Sequence, residues 1–320
     1  MKILVIGDLH FRATSPRNRK DDYLTTLEEK LLEVWEIAKR ERVDVIVQVG
    51  DIFHEPVVPI PVLMRAYDVF SKAPLPIKCI IGNHDVFGYN IDTYPKTSLY
   101  LLSYLASSPV EVWQGKAITG GGVIIFNYAG YSRDNDIEGK GYQVPDDLST
   151  GCRIAVVHGM LLDHDLPYQA NYTNLHKLET NADIVITGHD HVGYGVVKRD
   201  DGTLFVNPGA LMRLTASEAE MTRTVQVAVI NTNTRTAELV PLKRAKPAVE
   251  VLDRSKLEEK KERDYAISEF ATLIKTGKGV FTQNLDEIVL NLGKEQKVDQ
   301  NIIEKAVELL RGEINNEKKI

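Results

Sequence analysis

Two periodicities divide the first three quarters of the chain. Short runs of aliphatic and β-branched residues, at positions 3–6, 43–49, 77–81, 123–126, 154–157, 184–187 and 204–206, have the length and make-up of buried strands. Between them lie segments with an apolar position every three or four residues, the pattern of an amphipathic helix. The longest puts Leu24, Leu27, Leu31, Val34, Trp35 and Ala38 on one face. A second carries Leu63, Ala66, Tyr67 and Phe70, and a third Leu99, Leu102 and Leu105. Strands and helices in alternation predict an α/β fold. Over residues 222–240 the strict alternation of Thr224, Gln226 and Ala228 with valines predicts a hairpin that closes the sheet system.

The pattern changes near residues 241–247. Beyond it come three short helical patterns rich in Lys and Glu, the first opened by a capping box of Ser255 and Glu258. Its apolar face is Ile267, Phe270, Ala271 and Ile274. The second face is Leu285, Ile288, Val289 and Leu292, and the third is Ile302, Ile303, Ala306, Val307 and Leu310. Helices this short are not stable alone. They either pack on the core of the same chain or serve as an adaptor for a partner. The expected division is therefore a domain of residues 1–245 and a helical C-terminal segment of residues 246–320.

Composition narrows the class. A chain of 320 residues with 43% hydrophobic and 26% charged residues has enough apolar surface for a sizeable core, which excludes disorder as its main state. No apolar run approaches the roughly 18 residues of a spanning helix. The N-terminal run turns acidic at Asp8 and lacks the apolar stretch of a signal peptide. The two cysteines, Cys79 and Cys152, have no paired metal spacing, so a disulfide scaffold or thiolate zinc site is not expected. A reducing cytoplasm fits them. The net charge of -6 excludes a polycationic nucleic-acid coat.

Histidines and carboxylates cluster where the apolar runs stop. The run at 3–6 leads into Asp8 and His10, the run at 43–49 into Asp51 and His54, and the run at 77–81 into Asn83, His84 and Asp85. The run at 154–157 leads into His158, and that at 184–187 into His189 and His191. Five such junctions predict that the carboxyl ends of one sheet system converge on one site. Asp, His and Asn without cysteine suit manganese, iron, magnesium or zinc. The Asp8/His10 and His189/His191 pairs serve two ions more naturally than one, with Asp51 able to bridge them. Two such ions suit phosphoryl displacement. His164 and His176 lie outside these clusters and read as ordinary surface or structural residues.

These five blocks, in this order, resemble the calcineurin-like metallophosphoesterase superfamily over roughly residues 1–240. The resemblance implies a four-layered α/β/β/α sandwich of two face-to-face sheets with helices outside. It implies that Asp8, His10, Asp51 and His191 hold one metal and that Asp51, Asn83, His158 and His189 hold the other. It also implies that His84 touches the substrate phosphate and protonates the leaving oxygen, with Asp85 orienting it.

Within the superfamily, His54 three residues after Asp51 resembles the SbcD-type repair nucleases of archaea and eukaryotes, whose bacterial counterparts usually carry aspartate there. That likeness implies a manganese-dependent DNA exonuclease, with endonuclease activity also open, in which His54 helps position the phosphate. It further implies a homodimer formed through helices of the core, and an SMC-like, SbcC-type ATPase docked on the C-terminal helices in DNA repair, recombination or replication. Compact members of this plan occur in large bacteriophages and would act in the host cytoplasm. The chain departs from the pattern at Gly7, where those nucleases usually have serine, and in its basic loop of Arg12, Arg17, Arg19 and Lys20. That loop either grips DNA phosphates or is a solvated surface. Arg213 is a further phosphate candidate. Two alternatives stand beside the nuclease: a small-molecule or cyclic-nucleotide phosphodiesterase or phosphatase, and a non-catalytic scaffold that holds an ATPase on DNA ends.

Overall fold

The N-terminal apolar run forms β1 (Lys2–Ile6), whose successive side chains point to opposite faces. Ile3 and Val5 join one hydrophobic cluster, and Leu4 and Ile6 join another. The chain then adds β2 (Val45–Gln48), β3 (Ile77–Cys79), β4 (Val110–Val112), β5 (Gly115–Thr119), β6 (Ile124–Ala129) and β7 (Cys152–Gly159). A small pair, β8 (Leu161–Leu162) and β9 (Thr173–Asn174), precedes β10 (Ile184–His189), β11 (Gly195–Lys198) and β12 (Leu204–Asn207). The hairpin of β13 (Gln226–Asn231) and β14 (Thr236–Pro241) completes the set. The structure, a computed structural model, describes residues 1–105, 107–119, 124–137, 139–145, 151–255, 263–265, 267–268, 293 and 298–317.

Two six-stranded sheets result, in the orders β14-β13-β1-β2-β3-β4 and β11-β12-β10-β7-β6-β5. In the first, β1 to β4 are parallel and the hairpin joins β1 antiparallel. In the second, β6, β7, β10 and β12 are parallel, with β5 and β11 as antiparallel edges. Ile3, Val5, Val47 and Val49 of the first sheet pack against Ile154, Val156, Ile184 and Ile186 of the second. This is the predicted face-to-face pair of sheets.

The outer face of the first sheet is covered by α1 (Tyr23–Glu41), α2 (Ile60–Phe70) and α3 (Ser98–Tyr104). Asp22 caps α1 by accepting the Thr25 N–H at 2.7 Å, and Arg42 ends it in a left-handed conformation. Leu27, Leu31 and Val34 on its inner stripe are fully buried, each contributing roughly 1.5–3 kcal/mol by burial. The left-handed Arg42 also explains why β2 starts at Val45 rather than Val43: the chain is still turning there.

The outer face of the second sheet is covered differently. Among the described residues its layer is mostly loop, with the short α4 (Arg133–Ile137) and buried Tyr142, Leu161, Leu175 and Leu178. Further along are α5 (Glu218–Thr222), α6 (Ala248–Val251) and α7 (Gln300–Glu317). By internal contacts the chain falls into units Met1–Leu252 and Asp253–Ile320. In the second unit α7 buries Ile303 and Ala306. Glu258, Phe270, Ala271, Ile274 and the pattern at 285–292 lie outside the described residues. No helix among the described residues is long and apolar enough to cross a membrane.

Candidate metal centre

Each predicted cluster sits where a parallel strand ends. Asp8 and His10 follow β1, Asp51 follows β2, and Asn83 to Asp85 follow β3. His158 and His189 lie at the ends of β7 and β10, with His191 just beyond. The chain must turn sharply at these points. His10, Asp51 and His189 accordingly adopt left-handed φ values of 53°, 55° and 78°, which non-glycine residues rarely do outside functional sites. Gly82 must be glycine, because a Cβ there would overlap the Asp51 carboxylate.

Three donor groups form among the described residues: one is His10, His54 and His84, and Asp51 belongs to both of the others. Asp8, His10, Asp51 and His191 each offer an atom within 4.8 Å of the others, and so do Asp51, His158 and His189. The Nε2 atoms of His10 and His191 face each other at 3.0 Å, and Asp8 Oδ2 lies 3.3 Å from His191 Nε2. Asn83 Oδ1 joins the group of His158 and His189, at 2.9 Å from His158 Nε2.

Asp51 Oδ2 tests whether divalent ions suit this set. The atom is buried and has no hydrogen-bond partner, yet His10 Nε2 and His158 Nε2 face it at 3.7 and 3.5 Å. A buried anionic oxygen without a donor is costly. An ion between oxygen and imidazoles removes that cost, so the residues fit. His158 Nδ1 donates to the Val49 carbonyl at 2.7 Å, which leaves Nε2 to the centre.

The electrostatics agree. Burial lowers His10 to about 3 and His189 to about 4, so both are neutral and offer lone pairs near pH 7. Burial also works against a charged His158, but the Asp51 carboxylate outweighs it and raises His158 to about 10. Burial favours a protonated Asp8, yet its bond to His191 and the nearby imidazoles lower it on balance. The Asp8 and Asp51 carboxylates thus favour positive charge at His158 and His191, while burial disfavours it at His10 and His189.

The family model for calcineurin-like phosphoesterases matches residues 1–193. The chain belongs to this family. Among solved structures it is similar to Yfce, a phosphoesterase from E. coli, at 14% identity and a TM-score of 0.34, over 76% of this chain and 100% of that one. It is also similar to a putative 5'-nucleotidase from Staphylococcus aureus, at 15% identity and a TM-score of 0.42, over 96% of this chain and 58% of that one. No curated protein matches its sequence.

Around this phosphoesterase centre two expectations need correction. Asp85 does not hold the His84 ring. Its buried carboxylate accepts main-chain N–H groups of Asp51 and Gly82 at 2.9 Å and of Phe53 at 3.0 Å, tying the two ligand loops together. The His84 ring is held instead by the His54 carbonyl, 2.8 Å from Nδ1, while the His84 N–H donates to Asp51 Oδ1. The His54 and His84 rings stack at 5.0 Å.

The second correction concerns the arginines. Arg213 is buried and gives its guanidinium hydrogens to the carbonyls of Glu220, Lys246 and Arg223. Arg19 is committed to both oxygens of Asp21 and to the Arg213 carbonyl. Neither is placed to meet a substrate phosphate. Lys20 reaches the Val249 carbonyl from an exposed position, and Arg17 is exposed. Arg12 is different: its Nε is buried without a partner, and its charge is second only to burial in lowering His54 to about 4.

The structure also explains Gly7. A Cβ there would overlap the carbonyl oxygen of Gly209, in the Pro208–Gly209 loop beneath the site. One aromatic residue lies beside the centre without being among its donors. Tyr131 follows β6 as the other clusters follow their strands, and its ring lies 5.5 Å from His189 and 6.2 Å from His158. The strand-end rule applies to it equally; a search confined to histidine and carboxylates passed over it.

Proposed function

We propose that this phosphoesterase is a two-metal DNA nuclease, an exonuclease with endonuclease capacity, and the nuclease subunit of an SbcCD-like repair or recombination complex. The observation that carries the reading is the pair of donor groups sharing Asp51, with the stacked His84 and His54 rings beside them. Asp8, His10, Asp51 and His191 would hold one ion, and Asp51, Asn83, His158 and His189 the other. Manganese is the expected metal, with magnesium, iron or zinc as alternatives. When bound, such a pair supplies Lewis-acid polarisation and a nucleophile near neutral pH for in-line displacement at phosphorus.

The chain's own groups do the rest. His84 donates Nδ1–H to the His54 carbonyl, so Nε2 is the atom that carries a proton to the departing oxygen. His54 stacks on that ring and positions the phosphate, with the Arg12 guanidinium, whose Nε has no hydrogen-bond partner, as a nearby phosphate contact. Arg17 and Lys20 would touch DNA further out.

The proposal extends to partners and place. Two copies would pair through α2 and α3, which expose Ile60, Met64, Leu101 and Tyr104 to water. An SbcC-type ATPase would dock on residues 246–320. The free thiols of Cys79 and Cys152 suit the cytoplasm.

A second reading, a small-molecule phosphodiesterase of the same centre, is favoured by the commitment of Arg19 and Arg213 inside the fold and by the net charge of -6. The complete donor set weighs against a non-catalytic scaffold. The deciding experiment is nucleotide release from linear duplex DNA with manganese, with Asp51→Asn as the blank. Release that the variant lacks supports the nuclease. No release, alongside hydrolysis of a small diester, moves the reading to the second.

A further inference from the structure

We infer that Tyr131, with Tyr89 beside it, is a stacking platform for a nucleobase joined through its sugar to the substrate phosphate. The inference rests on the phosphodiesterase reading and adds what lies on the far side of the phosphate.

Tyr131 is fixed by its backbone. Its N–H donates to the Ile81 carbonyl at 2.8 Å. The preceding Gly130 is pressed so closely on its neighbours that a Cβ would lie 2.5 Å from Nε2 of Gln114, between β4 and β5, and 3.0 Å from the Ile81 carbonyl oxygen in the loop after β3. The half-buried ring leans on His189 and His158, one of the two proposed ligand sets. The base of a nucleotide, joined through its sugar to a phosphate held there, comes within reach of its face.

Tyr89 extends the surface. Its ring lies 5.8 Å from that of Tyr131 and is 65% exposed. Gly88 and Tyr89 adopt successive left-handed φ values of 56° and 59°. For a bulky residue that conformation is strained, and here it holds an aromatic ring out in water beside the metal cluster. The exposed face of that ring is open to a stacked ligand.

A nucleobase is the ring that fits. Every base has a π-face, so stacking gives sequence-tolerant affinity. A protein with a net charge of -6 has need of affinity that does not come from bulk charge.

The test compares two esters with the same p-nitrophenol leaving group, thymidine 5'-(p-nitrophenyl phosphate) and methyl p-nitrophenyl phosphate, with manganese. Tyr131→Leu should raise KM for the nucleoside ester about tenfold with kcat little changed, and leave the methyl ester unaffected. Tyr131→Phe should behave as the wild type. Calorimetric binding of thymidine 5'-monophosphate should weaken in parallel with KM. Equal losses on both esters would mean that Tyr131 only shields the histidines, and unchanged constants would remove it altogether; either overturns the platform. A wild type that hydrolyses neither ester refutes the phosphodiesterase reading separately. The monophosphate titration would still decide the platform in that case.

Discussion

Nδ1 of His84 lies 2.8 Å from the main-chain carbonyl oxygen of His54, so the backbone of one histidine sets the tautomer of the other. A carbonyl only accepts, which makes Nδ1 the donor and leaves Nε2 for proton exchange. The contact does not involve the His54 side chain. Removing the His54 ring therefore leaves His84 oriented.

This separates the two histidines kinetically. We expect His84→Ala to lower DNA hydrolysis by about 10²–10⁴-fold. It should cost far less on bis(p-nitrophenyl) phosphate, whose leaving group departs without a proton. His54→Ala should be milder than His84→Ala on DNA. Turnover of both substrates by each variant measures this, and equal losses from His84→Ala on the two substrates would assign it to phosphate binding instead.

Asp85→Asn tests the loop tie. The carboxylate satisfies three main-chain N–H groups, whereas an amide offers one acceptor oxygen and sets its own N–H against a donor. We expect a loss of about 2–3 kcal/mol in urea unfolding together with a fall in bound manganese. A variant that kept full stability would show that the loops hold each other without it.

Lys30 makes stability depend on pH. Its buried ammonium donates to the Leu211 carbonyl at 3.0 Å, and burial, followed by the charges of Arg19, Arg213 and Arg223, lowers it from 10.5 to about 7. Between those values the unfolded chain binds more protons than the folded one, so stability rises with pH across that window and the penalty is complete below it. We expect urea unfolding at pH 9 to need on the order of 1–2 kcal/mol more than at pH 7 from this group. The increment should vanish in Lys30→Met.

Metal removal has a stability readout as well. Manganese at a hundredfold excess over Kd should add about 2.7 kcal/mol to the wild type, and chelation should reverse it. Asp51→Asn, lacking the shared carboxylate, should gain much less in the same thermal melts.

Gly7→Ser would restore the residue usual in the resembling nucleases, but here its Cβ meets the Gly209 carbonyl. We expect the variant to lose about 1–3 kcal/mol of stability in urea unfolding.

The sandwich and the gathering of His and Asp at strand ends were legible because their signals are local. A parallel strand buried on both faces is an apolar run, and its end is where His10, Asp51, Asn83, His158 and His189 stand. The edge strands β4, β5 and β11 carry no such run; their Glu111, Lys116 and Lys198 mark surfaces that face water. Arg19 and Arg213 misled because a guanidinium's partner is set by tertiary structure. The carbonyl that Arg19 meets is 194 residues away. Asp85 is paired with its neighbour His84 by the resemblance, whereas it meets the N–H of Gly82 and those of Asp51 and Phe53, in a loop more than thirty residues earlier.

The proposed ligands are split between the sheets: Asp8, His10, Asp51 and Asn83 follow the first, and His158, His189 and His191 the second. A nascent chain that has emerged only as far as β6 carries the first four of these and none of the three histidines of the second sheet. Metal loading must wait until β10 has docked and His191 has left the ribosome. A fragment that stops before β10 would then hold neither proposed ligand set complete, since it lacks both His189 and His191.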